Sequence, residues 1–420
     1  MKITLTQFRP NTAEAVWTDC FAQAIAELHK AGGGVLTVPT GEYSTGPIEL
    51  CSNIELHLEP GAVIRFLNDP AAFPLQECQY EGRISHRPKP CLSAFNAENV
   101  ALTGSGVLDG CGAPWWAAQR ARTLANGRPY LLHFENVTHL RVCGVQLRNS
   151  PAWTVHPLNC VDVLIEDVSI CNPYNSPNTD GINPESCRDV RILNCRVDVG
   201  DDCITLKSGT EETPSPVPCE NIVIANCLLV HGHGGIVIGS EMSGGVRNVT
   251  VTNCVFTGTD RGLRVKTRRR RGGCVENLRL SNLVMERVFC PFVFNMYYSC
   301  GTAEKDRWVW EKTPYPVDGG TPAFRNIRIS GVTVVGATAS AGFFYGLAES
   351  PIDGLSLTDC HIEMARGAAP EKPAMMGNLE PMSARGFFLR NAKNVEFHNV
   401  TLKNADGEAY DTDESVDGEF

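Results

Sequence analysis

Apolar and polar residues alternate in short runs along most of the chain, and one run recurs. Each copy has an anchor residue, then apolar residues at alternate positions, then Asn, Asp or Gly before a Cys or Val in most copies. In the middle of the chain the anchors are roughly 23 to 32 residues apart, a spacing that indicates a solenoid. The anchors are Asn99, His139, Asp162, Asp189, Asn221, Asn248, Asn277, Asn326, Gly354 and Asn394.

Short alternating runs bounded by Gly, Asn and Asp predict β-strands, and no helical pattern separates them. The close leucine spacing of leucine-rich repeats is absent. We therefore predict an all-β fold, a parallel β-helix in which each repeat forms one coil. Cysteines at one position of the repeat then pack on neighbouring coils as buried free thiols, because parallel side chains have poor disulfide geometry.

The two ends of the chain differ from the repeats. Apolar residues at helical spacing over about 13–30 predict an amphipathic helix that caps the solenoid within an N-terminal region of about 1–50. The coils are expected over about 51–405, interrupted by insertions near 66–95, 109–130, 301–325 and 363–386. The acidic segment 406–420 is expected to be frayed. We treat the whole as one domain.

Composition excludes several functions. The formal net charge of -10 argues against binding nucleic acid, and no apolar run is long enough to span a membrane. The start has no apolar leader segment, and we expect a cytoplasmic protein whose 18 cysteines are reduced, or a secreted one if the sequence has been trimmed at its start. No Cys/His cluster has metal-ligand spacing, so no metal is expected. Oligomeric state is left open.

Charged residues of several coils fall on one side of the predicted solenoid. Asp201 and His233 each lie 12 residues after their anchors, Asp189 and Asn221, so they should occupy adjacent coils about 5 Å apart. Removing a short loop brings a further aspartate into the same column, and two cations follow on the next coil. The predicted set is Asp180, Asp201, Asp202, His233, Arg264 and Lys266.

Crowded carboxylates cannot all ionise easily, so one pKa rises and that group keeps its proton near neutral pH. An acid beside ionised carboxylates suits glycoside hydrolysis, and the two cations suit an acidic sugar. Segment 195–209 has the pattern of a strand, with Asp201 and Asp202 inside it. In a plain strand these two adjacent side chains would face opposite sides, so bringing both to one site requires a local bend.

The motifs "NTDG" (178–181), "GDD" (200–202), "GHG" (232–234) and "RVK" (264–266) occur in this order. Together they resemble glycoside hydrolase family 28, the polygalacturonases. The resemblance covers most of the chain and implies a right-handed parallel β-helix that hydrolyses α-1,4 bonds of galacturonan with inversion. It also implies that neither a metal nor an organic cofactor is needed.

The resemblance implies a role for each motif residue. Asp201 is the expected general acid, Asp180 and Asp202 hold and activate water, and His233 tunes the acid. Arg264 and Lys266 bind the galacturonate carboxylate beside the scissile bond. Further expected substrate-binding residues are Asn178, Glu241 and Tyr297.

The long insertions favour an exo-acting enzyme, because blocking one end of a groove leaves a pocket for a chain terminus. The motifs "IGSEMSGGVRNV" and "RGLRVKTRRRRGG" also resemble bacterial exo-acting members of the family. Three alternatives stay open: a rhamnogalacturonan-directed hydrolase, a calcium-dependent β-eliminase like pectate lyase, and a non-catalytic carbohydrate-binding solenoid. Galacturonate oligosaccharides are the expected substrate.

Overall fold

The computed structural model describes residues 1–10, 16–300 and 306–420. The chain forms two compact units, Met1–Asp201 and Asp202–Phe420. Each unit is built from short strands that pair in parallel with strands of the next coil, so the predicted parallel β-helix is confirmed. Residues 13–15 of the predicted helix and residues 301–305 of the insertion near 301–325 lie outside the described residues.

The described part of the first unit contains two α-helices, two short 3₁₀ helices and the first part of the strands. The helices are α1 (Thr18–Lys30) and α2 (Ala113–Arg120), with 3₁₀ turns at Leu5–Gln7 and Pro70–Ala72. The strands are β1 (Lys2–Thr4), β2 (Gly34–Val38), β3 (Gly41–Thr45), β4 (Ile48–Leu50), β5 (Ile54–Leu58), β6 (Ala62–Phe66), β7 (Leu75–Tyr80), β8 (Arg83–Pro88), β9 (Leu92–Gly104), β10 (Val107–Asp109), β11 (Leu132–Cys143), β12 (Gln146–Arg148), β13 (Val155–Leu158), β14 (Val161–Glu166), β15 (Ser169–Cys171), β16 (Arg188–Leu193) and β17 (Arg196–Val199).

Three parallel ladders run through the first unit. One joins β2, β5, β9, β11, β14 and β16, and a second joins β3, β6, β10, β12, β15 and β17. The third pairs β4 with the start of β9, then β11 and β13, and ends in a bridge between Val155 and Ile182. The insertion at 66–95 is an antiparallel hairpin of β7 and β8.

The second unit continues the same construction. Its strands are β18 (Ile204–Leu206), β19 (Cys219–Ala225), β20 (Leu228–His231), β21 (Ile236–Ile238), β22 (Val246–Thr257), β23 (Arg261–Lys266), β24 (Cys274–Glu286), β25 (Cys290–Asn295), β26 (Ala323–Ala337), β27 (Ser340–Tyr345), β28 (Ile352–Met364), β29 (Arg385–Arg390), β30 (Ala392–Lys403), β31 (Tyr410–Asp411) and β32 (Val416–Glu419), with a 3₁₀ turn at Arg307–Val309. In the described part of this unit, β18, β21, β23, β25, β27, β29 and β31 form one seven-stranded sheet in which each strand pairs in parallel with the next.

Stacked asparagines explain why the repeat begins with a polar anchor. Asn221, Asn248, Asn277 and Asn326 each have φ between 54° and 59°, a left-handed conformation that asparagine tolerates. The side-chain amides of Asn248, Asn277 and Asn326 each donate to the amide oxygen of the preceding coil's anchor, at 3.1, 3.0 and 2.7 Å. The anchors therefore turn the backbone and tie adjacent coils together.

The described part of the N-terminal helix runs over Thr18–Lys30 and buries Phe21, Ala24, Ile25 and Leu28 on one face. It packs on β1, β2, β4 and β5 at the start of the first unit. This agrees with the predicted amphipathic cap.

The prediction of a frayed tail is wrong. Residues 410–411 and 416–419 are strands that pair with β29 and β30. The Tyr410 ring stacks on Phe387 with a centroid distance of 5.6 Å, and Arg390 forms ion pairs with Asp411 and Asp413. These contacts hold an acidic segment that composition alone assigns to disorder.

Insertion 109–130 contains the helix α2, which buries Trp115 and Trp116.

All eighteen cysteines lie in described stretches, and none of them forms a disulfide bond. Cys227 and Cys254 occupy the same position on neighbouring coils of the second unit, and both are buried. No helix among the described residues is long and apolar enough to span a membrane.

Replacing Asn248 tests the asparagine stack. Asn248→Ala loses two side-chain hydrogen bonds. It also puts alanine at φ 57°, a left-handed conformation that alanine tolerates less well than asparagine. We therefore expect a free energy of unfolding that is lower by about 1–3 kcal/mol. Asn248→Gly removes the same bonds but tolerates the turn, and should lose less. Urea unfolding of the three proteins measures both effects. Equal stability of all three would contradict this role.

Candidate active site

The strand predicted over 195–209 is interrupted. β17 ends at Val199 and β18 begins at Ile204, so Asp201 and Asp202 lie in a bend and not inside a strand. Gly200 explains the bend, because a Cβ there would lie 2.4 Å from the Ser176 carbonyl oxygen and 2.7 Å from that of Pro173. The glycine of "GDD" thus lets the preceding loop pack directly against the backbone of the bend.

In the first unit, Asp180 lies just before the last rung of the third ladder. Its carbonyl oxygen accepts a hydrogen bond from Thr154 N at 2.8 Å, and Val155 pairs with Ile182 directly after it. Its carboxylate Oδ2 accepts from Asn183 Nδ2 at 3.1 Å, and the residue is 4 % exposed. Asp180 is therefore a buried carboxylate held in place by both backbone and side chain.

Arg128 fixes the loop that leads to Asp180. Its Nη1 donates to the carbonyl oxygens of Pro151 and Pro177, and its Nη2 donates to Asn178 Oδ1 at 2.7 Å. The backbone of Asn178 is in the left-handed conformation, with φ 51°. Asn178, which the sequence predicts to bind substrate, thus contacts a buried arginine through its side chain.

Asp180 and Asp201 form a close carboxylate pair in this unit. One oxygen of each lies within 4.8 Å of the other, and Asp201 is half-buried whereas Asp180 is buried. Such a pair can share a proton or a water molecule, or contribute ligands to a cation. The spacing is shorter than the about 6.5–9.5 Å typical of inverting acid–base pairs, so it does not by itself argue for inversion.

The β7–β8 hairpin packs beside Asp180. The Tyr80 ring stacks on Trp153, the residue before Thr154, with a centroid distance of 4.8 Å, and Gln79 Nε2 donates to Glu185 Oε1 at 2.7 Å. Burial raises the pKa of the Tyr80 hydroxyl, and among smaller effects the charge of Asp180 acts in the same direction. The hairpin thus forms a wall beside this carboxylate.

In the second unit, Asp202 is held between two cations of β23. Its Oδ1 accepts from Arg264 Nη1 at 3.0 Å and its Oδ2 accepts from Lys266 Nζ at 2.7 Å. All three residues are buried, with Asp202 1 % exposed. Arg264 and Lys266 are two positions apart on one strand, so both side chains lie on the same face of the sheet.

These charges change one another's ionisation. Burial opposes the charged form of Asp202, but Lys266 and Arg264 outweigh it and hold the pKa of this carboxyl well below its usual range. Burial lowers the pKa of Lys266, and Arg264 lowers it further against the attraction of Asp202. Asp202 is therefore an ionised, fixed carboxylate.

The "GHG" motif provides the space for this contact. A Cβ on Gly234 would lie 3.2 Å from Asp202 Oδ1 and 3.3 Å from Arg264 Cδ. A Cβ on Gly235 would lie 2.2 Å from the Phe256 ring, so a second small residue is needed. His233, before these glycines, is exposed, and its charge helps to lower the pKa of Asp202.

Asp260 was missed by sequence reasoning. It directly precedes β23, its Oδ2 accepts from Arg261 Nη1 at 3.1 Å, and burial raises its pKa, with Asp202 acting in the same direction. The one sequence signal for Asp260 is its position just before the strand that contains "RVK".

Glu241 forms a second buried ion pair in this unit. Its Oε2 lies 2.7 Å from Lys207 Nζ, and its Oε1 accepts from Ser240 Oγ at 3.1 Å. Burial opposes ionisation of Glu241, but Lys207, Arg271 and Lys266 outweigh it and lower its pKa. Sequence reasoning also missed Lys207. It lies two residues after Thr205, just as Lys266 lies two residues after Arg264.

The expectation that Tyr297 binds substrate needs correction. Its side chain is 0 % exposed, and its ring contacts Lys312 Nζ at 3.3 Å from the centroid. The next residue, Tyr298, instead has its ring centroid 5.3 Å from Lys266 Nζ and 5.8 Å from Arg264 Cζ. A shift of one position reverses the face on which a side chain lies, and the sequence does not reveal which tyrosine faces the cations.

The fold and the site together define a parallel β-helical protein with clustered aspartates and buried cations. Comparison with known proteins makes this specific, because the family model "Glycosyl hydrolases family 28" matches residues 36–364. The chain belongs to glycosyl hydrolase family 28 and is a glycoside hydrolase, and membership of this polygalacturonase family supports galacturonan hydrolysis.

Named relatives agree with this. The chain is 30% identical over 363 residues to a "Probable polygalacturonase" of Vitis vinifera, covering 84% of this chain and 72% of the relative. It is 25% identical over 389 residues to an "Exopolygalacturonase" of Platanus acerifolia, covering 89% and 94%. A solved exopolygalacturonase from Thermotoga maritima superimposes with TM-score 0.77 at 30% identity, covering 96% of this chain and 92% of that one.

Asp202→Asn tests the ion triad. Leaving two buried cations without their carboxylate should lower the free energy of unfolding by about 3–5 kcal/mol at pH 7. Because the folded pKa of Asp202 is depressed, its contribution is complete above the unfolded value of about 3.9 and declines as the pH falls towards the folded pKa. The gap to wild type should therefore narrow below about pH 4.

The matched control is Asp353→Asn, which breaks an exposed ion pair with Lys393 and should cost no more than about 1 kcal/mol. Chemical unfolding of the three proteins from pH 7 to pH 3 is the measurement. An Asp202→Asn protein as stable as wild type at pH 7 would refute the triad's role.

Proposed function

We propose that this protein is an exo-acting galacturonan hydrolase that releases single galacturonate residues from oligosaccharides by general acid and base catalysis. The observation that carries the proposal is the fixed, ionised Asp202, held by Arg264 at 3.0 Å and Lys266 at 2.7 Å. Hydrolysis needs one carboxyl group that gives up a proton and another that stays ionised to activate water.

The proposed roles follow the environment of each aspartate. Asp201 is the general acid, since it is half-exposed and one of its carboxylate oxygens lies within 4.8 Å of a carboxylate oxygen of Asp180. Asp180 and Asp202 hold the attacking water, and His233 tunes the protonation of the acid. Inversion is assigned on the pattern of the family, and proton NMR of the first-formed anomer tests it.

Recognition of the sugar carboxylate is assigned to Arg264 and Lys266. Both are fixed by Asp202, which keeps their donors oriented before substrate arrives. Tyr298 packs beside them and supplies an aromatic ring at the same place. A neutral sugar would leave these buried cations without an additional acceptor, so we expect selectivity for uronic acids.

Exo action is proposed from the β7–β8 hairpin. It is anchored to the coil through Gln79 and Glu185, and its Tyr80 stacks on Trp153. A continuous groove past Asp180 is what an endo-enzyme requires, and a wall at this position favours binding of a chain end. The names of the Platanus and Thermotoga relatives are consistent with this.

Asp201→Asn tests the general acid. An amide cannot donate the required proton in the same way, so kcat on trigalacturonate should fall by about a thousand-fold, within the range of acid–base catalysis. Asp198→Asn, which alters the partly exposed partner of Arg196 in β17, is the matched control and should keep near wild-type activity. Thermal unfolding checks both folds. Substantial turnover by a folded Asp201→Asn protein would remove Asp201 from this role.

A time course on tri- and tetragalacturonate, with and without a chelator, tests the reaction class and the mode of attack. We expect monogalacturonate as the first product from both substrates, no unsaturated product absorbing in the ultraviolet, and no effect of the chelator. Early dimer from internal cleavage of tetragalacturonate would contradict exo release of single residues. Ultraviolet absorbance that depends on calcium would instead establish β-elimination.

A further inference from the structure

The insertion between β28 and β29, residues 365–384, reaches back across the seven-stranded sheet to the strand of Arg264. It begins as a pair, with Glu371 and Met382 exchanging backbone hydrogen bonds of 2.8 and 2.9 Å. The segment between these two residues forms the far end of the loop. We call residues 365–384 the strap.

Side chains of β23 and β25 hold the strap in place. Arg261 donates from Nη2 to the Lys372 carbonyl at 2.8 Å and from Nε to the Pro373 carbonyl at 3.0 Å. Asn295 Nδ2 donates to the carbonyl of Met375 at 3.2 Å. Arg261 is buried, and its Nη1 also contacts Oδ2 of Asp260, the residue just before β23. The strap is therefore a built part of the site.

Met375 touches the proposed substrate-binding cation. Its Sδ lies 3.0 Å from Arg264 Nη2, the nitrogen on the other branch of the guanidinium from the one that binds Asp202. Its side chain is 39 % exposed, whereas the flanking Ala374 and Met376 are 2 % and 7 % exposed. A thioether is a weak acceptor that a sugar carboxylate can displace or share with.

The sheet face beyond Arg264 is closed. Arg264 is in register with Val293 on β25, which is in register with Phe343 on β27, so the three side chains share one face. Val293 is 1 % exposed and Phe343 is 0 % exposed. A sugar chain lying on Arg264 therefore finds no open surface along this row towards the later coils.

We propose that the strap is the end wall of the sugar groove and that Met375 sets how many sugar residues fit on the Arg264 side of the site. The substrate class is then short oligogalacturonates, with polymer excluded on this side by the wall. This inference rests on the proposed hydrolysis of galacturonate chains. Met375 acts as a specificity-determining residue through its bulk beside the sugar-binding cation.

The test compares kcat/KM on tri-, tetra- and hexagalacturonate. Met375→Gly removes the bulk, and we expect it to raise the hexamer-to-trimer ratio of kcat/KM by about ten-fold, the effect of one added subsite contact. Met375→Leu keeps the bulk without the sulfur and should retain the wild-type ratio. A second variant joins Glu371 to Met382 by a two-residue Asn-Gly turn in place of 372–381, and should raise the ratio further.

Thermal unfolding checks that each variant folds. If the variant with the shortened loop does not fold, Met375→Gly still tests the inference, because it keeps every backbone contact of the strap. A ratio within about two-fold of wild type in a folded Met375→Gly protein overturns the inference while leaving hydrolysis intact. A raised ratio in Met375→Leu shows that sulfur, not bulk, matters and also overturns it. No turnover of any oligogalacturonate by wild type overturns the proposed function itself.

Discussion

A buried carboxylate between two buried cations is the interaction on which the second unit's site depends. Asp202 is withdrawn from water, so its charge is tolerable only because Arg264 and Lys266 contact both of its oxygens. The cations in turn depend on Asp202, because it brings a negative charge into contact with both of them in a buried place. Removing Asp202 leaves two cations close together in a poorly solvated place.

Coil geometry makes this triad possible. Arg264 and Lys266 come from one strand, at positions two residues apart, and Val237 lies opposite Arg264 on the neighbouring strand β21. Just before β21 the chain needs a residue without a side chain. Gly234 is that residue, and it leaves room for Asp202 and Arg264 to meet. The spacing of "GHG" and "RVK" is thus explained by contact between neighbouring coils, not by either motif alone.

Much of the architecture could be read from the sequence, because its causes are periodic. The anchors Asn221, Asn248 and Asn277 recur since each must adopt a left-handed turn and bond to the one before. The same period correctly placed Arg264 and Lys266 on one face. A repeat pattern reports which residues share a column, and the site residues of the second unit lie in or next to such columns.

What the sequence could not reveal depends on contacts outside the period. Met375 reaches Arg264 from 111 residues away, along a strap whose path follows no repeat. The choice between Tyr297 and Tyr298 depends on a one-residue register just after β25. The bend at Gly200 is a packing effect of the loop before Asp180, and a strand-like pattern conceals it. Arg390 likewise holds a tail whose composition predicts disorder.

The central claim is that Asp202 remains ionised because Lys266 and Arg264 hold it. Carbon-13 NMR of the protein labelled at aspartate carboxyl carbons tests this directly, with the Asp202 signal assigned by its absence in the Asp202→Asn protein. The account predicts a carboxyl shift for Asp202 that stays at its ionised value from pH 7 down to about pH 4, below which ordinary aspartates titrate. A titration of this signal at or above about pH 4 would contradict it.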